Sequence, residues 1–79
     1  MLVVSTAHLT GPYEIEVCGL VYSDLDYGGW LVYCGDAYEQ SRLNEGAEVI
    51  LEIARNQGCP WVKFDPDGPE LEGIRTYDW

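Results

Sequence analysis

The chain opens with an unbroken apolar and β-branched run, Leu2-Val3-Val4-Ser5-Thr6-Ala7. Such a run has no polar face to turn toward water, so it predicts a first strand in a central position of a sheet. Two periodicities compete in the next segment. Thr10-Gly11-Pro12 has the order of an N-cap followed by proline in a first helical turn, after which Tyr13, Val17, Leu20 and Val21 share one face. As a strand, Tyr13-Glu14-Ile15-Glu16-Val17 alternates with both glutamates toward solvent. Periodicity leaves both readings open. Ser23 to Gly29 reads as a loop, and Trp30-Leu31-Val32-Tyr33-Cys34 as a strand closed by Gly35-Asp36.

After a polar connection from Ala37 to Arg42 the pattern becomes helical. Asn44 is placed to cap the N-terminus, Glu45 suits the positive end of the helix dipole, and Gly58 supplies the stop. Ala47, Ile50, Leu51 and Ala54 form the core stripe, flanked by Val49 and Ile53, while Glu45, Glu48 and Glu52 line another face. Trp61-Val62-Lys63-Phe64 predicts a third strand, and Asp65-Pro66-Asp67-Gly68-Pro69 a turn. The tail carries Ile74, Tyr77 and Trp79, which predicts that it packs on the body and can add a short strand. The expected fold is α/β of the α+β kind: three to four strands in a small sheet with one or two helices packed on it.

Length limits this to a single domain, 1–79, because 79 residues build one hydrophobic core and no second. An apolar share of 47% with three Trp, six Tyr and one Phe is enough to fold. No apolar run approaches the ~20 residues needed to cross a bilayer, and the first residues lack the basic segment of a signal peptide. A cytoplasmic location is expected. Cys18, Cys34 and Cys59 are widely spaced among apolar neighbours and read as small buried hydrophobes.

Charge changes the picture most: fourteen Asp and Glu stand against four Lys and Arg, a formal net charge of -10. That balance argues against direct binding to nucleic acid or to an anionic membrane and favours a basic protein partner. Catalytic patterns are weak. His8 stands near Ser5 and Thr6, but no nucleophile elbow or oxyanion loop accompanies it, so a turn-satisfying role is expected. Asp24-x-Asp26 and Asp65-x-Asp67-Gly68 lack the glycine and closing glutamate of a calcium loop. Gly28-Gly29 precedes a strand and not a helix, so it cradles no phosphate. The expectation is a non-enzyme with no metal or cofactor.

The aromatic residues around the central strand, Tyr22, Tyr27, Trp30, Tyr33 and Tyr38, serve either as cross-strand packing or as interface anchors. Carboxylates give the sharper expectation. Helix residues four apart rise by ~6 Å, so Glu45, Glu48 and Glu52 would form a line of charge with a spacing comparable to successive phosphates. Asp24, Asp26, Asp36, Glu39, Asp65 and Asp67, with Glu70 and Glu72, would extend it from the loops. These residues are the candidate partner-binding surface.

Val4-Ser5-Thr6-Ala7-His8-Leu9-Thr10, Gly29-Trp30-Leu31-Val32-Tyr33, Gly58 to Pro69 and Thr76-Tyr77-Asp78-Trp79 resemble a small family of uncharacterised bacterial proteins carried on plasmids and other mobile elements. The resemblance spans most of the chain, is most specific in its closing segment, and implies the helical reading of residues 10–21. It implies no activity. In size, charge and genetic setting the chain is also similar to anti-restriction and anti-CRISPR inhibitors, including phage-borne ones, that mimic DNA. That similarity implies an inhibitor that binds the DNA-recognition surface of a basic DNA-binding defence protein, such as a CRISPR effector subunit, and blocks target DNA. The other reading is an antitoxin-like interaction module that binds a specific basic partner without competing for DNA.

Overall fold

Strand alternation sets the layers of this α+β fold. The computed structural model describes residues 1–11, 13–16, 21–26, 28–34 and 43–78. In β3 (Trp30–Tyr33) Trp30 and Val32 are buried, and in β4 (Trp61–Asp65) Val62 and Phe64 are. Their neighbours along each strand point to the other side, so a single face of the sheet meets the core. β1 (Leu2–Ser5) pairs parallel with β4, with Val4 opposite Phe64. β2 (Tyr22–Asp24) and β4 both pair antiparallel with β3, giving the order β1-β4-β3-β2.

This order corrects the expected place of the first strand. β1 lies at an edge, and its apolar run ends early because the Ser5 hydroxyl accepts from the Ala7 N–H and opens a 3-10 turn over Thr6–His8. β1 is nonetheless covered at its end, where Ser5 N–H donates to the Pro69 carbonyl at 2.9 Å. Part of the predicted 23–29 loop, Ser23 and Asp24, lies in β2, recruited by pairing with Leu31 and Trp30 in spite of its polar residues. Close approach explains Gly29, since a Cβ there would run into the Phe64 carbonyl.

The helical reading of 10–21 holds for the single turn α1 (Tyr13–Glu16), but its buried face is not the expected one. Ile15 is fully buried, whereas Tyr13 and Val21 are exposed. Val17 and Leu20 lie outside the described residues. α2 (Glu45–Asn56) is capped by Asn44, whose side-chain oxygen accepts from Ala47 N–H. It ends as expected: Gly58 takes φ +74°, a left-handed conformation that favours glycine. Ala47, Ile50, Leu51 and Ala54 are all buried, and with Val4, Leu9, Ile15, Val32, Val62 and Phe64 they form the core between helix and sheet. Val49 is exposed, and the tail packs Leu71 and Ile74 on the core without a described strand.

Candidate functional site

The sheet gathers at one end carboxylates that are far apart in sequence. Asp24 pairs with Trp30, Trp30 with Phe64, and Asp65 with Ser5, so the β2–β3 connection and the 65–69 turn emerge side by side. Pro66 lies within 3.9 Å of the position a Gly28 Cβ would take, which fixes the two loops against each other. Asp24, Asp26 and Asp67 are exposed there. Asp65 is half-buried and held: Oδ1 accepts from Asp67 N–H at 2.9 Å, and Oδ2 lies 3.4 Å from Lys63 Nζ.

An open cleft of about 440 Å³ adjoins this end, with Ser5, Thr6 and Tyr77 among its walls and Glu70 and Asp78 as its carboxylates. Asp78 was not among the sequence candidates. It arrives because Tyr77 N–H donates to the Ala7 carbonyl and draws the tail across the end of β1. No local pattern signals a contact between residues seventy apart in the chain.

The helix row is shorter than its spacing predicts. Glu45 and Glu52 are exposed, but Glu48 turns inward and its Oε1 is buried with no hydrogen-bond partner among the described residues. Burial pushes the Glu48 carboxyl above the ordinary range, and Glu14 adds to the rise, while Arg55 and a backbone hydrogen bond at Leu43 oppose it. Asp36 and Glu39 lie outside the described residues. The candidate carboxylates thus divide into a sheet-end group and two exposed helix positions, and they do not form one continuous line.

Two further polar side chains are committed to the fold. His8 is fully buried; its Nδ1 lies 3.0 Å from the Arg75 carbonyl, and its Nε2 accepts from Leu71 N–H at 2.9 Å. A carbonyl only accepts and an amide N–H only donates, so the ring is the neutral Nδ1–H tautomer with both nitrogens engaged. It fastens the tail and has no free nitrogen for proton transfer. Glu14, expected at the surface in the strand reading, is buried. Its Oε1 accepts from Thr10 N–H at 2.6 Å and from the Thr10 hydroxyl at 3.0 Å, and Oε2 accepts from Asn44 N–H. Asn44 Nδ2 donates to both oxygens at 3.1 Å and to the His8 carbonyl at 2.9 Å. One residue therefore caps α2 and links it to α1.

Cys34 is buried and donates to the Cys59 carbonyl at 3.5 Å. Burial raises its thiol above the ordinary range more than Arg55 lowers it, and Cys59 adds to the rise, so the nucleophilic thiolate is disfavoured. Cys59 is half-buried, and Cys18 lies outside the described residues. Among the aromatic candidates Trp30 is core, Tyr22 packs on the core, and Tyr33 faces the other side of the sheet; Tyr27 and Tyr38 lie outside the described residues. The described residues contain no cluster of His, Cys, Asp and Glu suited to a metal ion.

A model of the C-terminal domain of a family of unknown function, DUF5983, matches residues 1–79. The chain belongs to this DUF5983 family. No curated protein and no solved structure matches it. The DUF5983 match covers every strand and helix described above, so the acidic sheet end and the His8 and Glu14 networks all lie within the family domain. Among the described residues of this DUF5983 chain, no helix is long and apolar enough to cross a membrane.

Proposed function

We propose that this DUF5983 domain is a non-catalytic, cytoplasmic binding module for a basic protein. The observation that carries the reading is the convergence of Asp24, Asp26, Asp65 and Asp67 at one end of the sheet, with Glu70 and Asp78 in the adjoining cleft. Bringing like charges together in a folded chain of net charge -10 costs stability, and a cationic surface recovers it on binding. A DNA-recognition surface is such a surface, because it is built to hold closely spaced phosphates. The proposed action is therefore inhibition: the acidic end and helix carboxylates occupy the DNA-binding groove of a bacterial defence protein, as a DNA mimic, and keep target DNA out. A mobile-element origin, for which the sequence resemblance speaks, fits that role.

The test is direct competition. A CRISPR surveillance complex and a restriction enzyme are each mixed with the protein, and target-DNA binding is measured over a range of salt. The expected result is loss of DNA binding by at least one effector, with affinity that falls as salt rises and weakens when Asp24, Asp26 and Asp67 become Asn. Undiminished DNA binding across the effectors would sink the inhibitor reading. The inward turn of Glu48 favours a second reading, a module that binds a basic protein away from its DNA groove. Exposed Glu45 and Glu52 stand seven positions apart, a rise of about 10 Å, and do not reproduce a phosphate ladder. Binding without DNA competition would select it.

A further inference from the structure

Tyr77, in the tail that His8 fastens, lines two clefts at once. One is a groove of about 320 Å³ between the first turns of α2 and residues 73–77, where Val49, Ile74 and Tyr77 supply apolar lining and Glu45 and Arg75 the charges. The other is the cleft of about 440 Å³ at the end of β1, where Glu70 and Asp78 are the charged residues. The groove is built into the fold. Gly46 lets the tail lie on the first turn of α2, because a Cβ there would come within 3.0 Å of Ile74 Cγ2. Ile74 N–H donates to the Leu71 carbonyl at 3.2 Å, His8 Nδ1–H to the Arg75 carbonyl and Tyr77 N–H to the Ala7 carbonyl, so the tail is held along the length that lines it. Val49 is 41% exposed, an apolar side chain of α2 that the core does not take up and that the groove does.

The two clefts differ in charge. Among their described lining residues, Glu45 and Arg75 offset each other in the groove, whereas Glu70 and Asp78 are both anionic and no cation accompanies them. The Arg75 guanidinium lies 5.1 Å from the centre of the Tyr77 ring, so the groove already has its cation. A further cation is repelled there and attracted in the cleft. An apolar side chain therefore suits the groove, and a lysine or arginine side chain the cleft. A second copy would set a net charge of -10 against -10, and a nucleic acid would bring phosphates to Glu70 and Asp78. In an extended protein segment, residues two apart project to the same side and lie ~6.5 Å from each other, the scale of the one tyrosine that both clefts share.

We propose that groove and cleft together bind one extended segment of the partner protein, in which an apolar residue and a lysine or arginine stand two positions apart. The segment lies astride Tyr77, with the apolar side chain against Val49 and Ile74 and the cation against Glu70 and Asp78. The proposal rests on the reading of a basic partner and adds a short sequence rule to it. Charge steers the approach, and the apolar residue selects the segment.

Synthetic peptides test it by backbone amide NMR of the full chain: a glycine-serine peptide with Leu-Ser-Arg at its centre, the same peptide with Ser-Ser-Arg or Leu-Ser-Gln there, and hexa-arginine. The expected result is shift changes concentrated at residues 5–7, 45–49 and 73–78 with the Leu-Ser-Arg peptide, and at least about fivefold weaker binding by each singly altered one, equivalent to ~1 kcal/mol. Val49→Ser should weaken the Leu-Ser-Arg peptide by a similar factor and leave Ser-Ser-Arg unchanged. Glu70→Gln combined with Asp78→Asn should weaken it too and leave Leu-Ser-Gln unchanged. These three positions are exposed, which spares the fold, and circular dichroism confirms it. Hexa-arginine distinguishes the two failures. If it shifts amides of the chain while Leu-Ser-Arg binds no better than Ser-Ser-Arg, or binds elsewhere, the two-cleft site falls and the basic-partner reading stands. If no peptide, hexa-arginine included, shifts any amide at low salt, both fall. Shifts at the same amides that grow with protein concentration alone would give the site to a second copy and overturn the assigned occupant.

Discussion

Replacing Glu14 with Gln removes one acceptor from the point where α1, α2 and the segment after β1 meet. The carboxylate presents two acceptor oxygens to Thr10 N–H, the Thr10 hydroxyl, Asn44 N–H and Asn44 Nδ2. An amide presents one oxygen and one NH₂. Whichever way it is turned, a donor faces either the Thr10 pair or Asn44 N–H, and a charge-assisted bond worth about 1.5–3 kcal/mol is lost. With a donor then left unsatisfied, the expected loss is about 2–4 kcal/mol. For a chain of 79 residues the total stability is roughly 4–12 kcal/mol, so this is a large share of it. The melting temperature should fall by about 10–30 °C, measured by circular dichroism at neutral pH. Glu16→Gln, at an exposed position of the same turn, is the control and should stay within about 0.5 kcal/mol of the parent. A cycle with Asn44→Ala should show a coupling of about 1 kcal/mol or more. Glu14→Gln melting within about 2 °C of the parent would refute the network as a source of stability.

Glu48→Gln should act in the opposite direction. The folded carboxyl binds its proton more tightly than the unfolded one, so between the ordinary glutamate value of about 4.3 and the raised folded value the folded state holds more protons. Stability is therefore lost as pH rises through that window, and the substitution should recover on the order of 1 kcal/mol at neutral pH and little at pH 4, read from urea midpoints at the two pH values. His8→Ala should free the tail, because Leu71 N–H and the Arg75 carbonyl lose their partner together; hydrogen exchange at Leu71 should accelerate, at a stability cost of about 2–4 kcal/mol. Unchanged protection there would show the tail to be held by packing alone. Cys34 should resist a thiol reagent in the native protein and react at once in guanidinium, as followed by mass spectrometry of its peptide. Native labelling at the rate of a free thiol would show that the strand end opens.

How much was legible in the sequence depended on whether the determining contacts were local. α2 was readable because its cap, dipole-matched first turn, apolar stripe and terminal glycine all lie within fifteen residues, and a helix is specified by neighbours three and four apart. β3 and β4 were readable as strands for the same reason, from short β-prone runs between breakers. The acidity, and with it the class of partner it favours, is composition and needs no fold.

Tertiary structure decided the rest. An apolar run such as Leu2 to Ala7 does not tell how many neighbours its strand will have, so β1 read as central although it is an edge strand with Val3 on the side of the sheet away from the core. β2 has no strong strand signal of its own and exists through the partner it pairs with. Glu14 and Glu48 look like solvent-facing carboxylates by composition, and only long-range packing shows that one is a buried junction and the other a desolvated group beside it. The grouping of Asp24, Asp26, Asp65 and Asp67 is likewise a product of strand register, which brings together residues that are some forty positions apart. Composition sets the quantity of charge; the sheet determines where it gathers, because pairing between distant strands is a property of the folded chain and not of any segment of it.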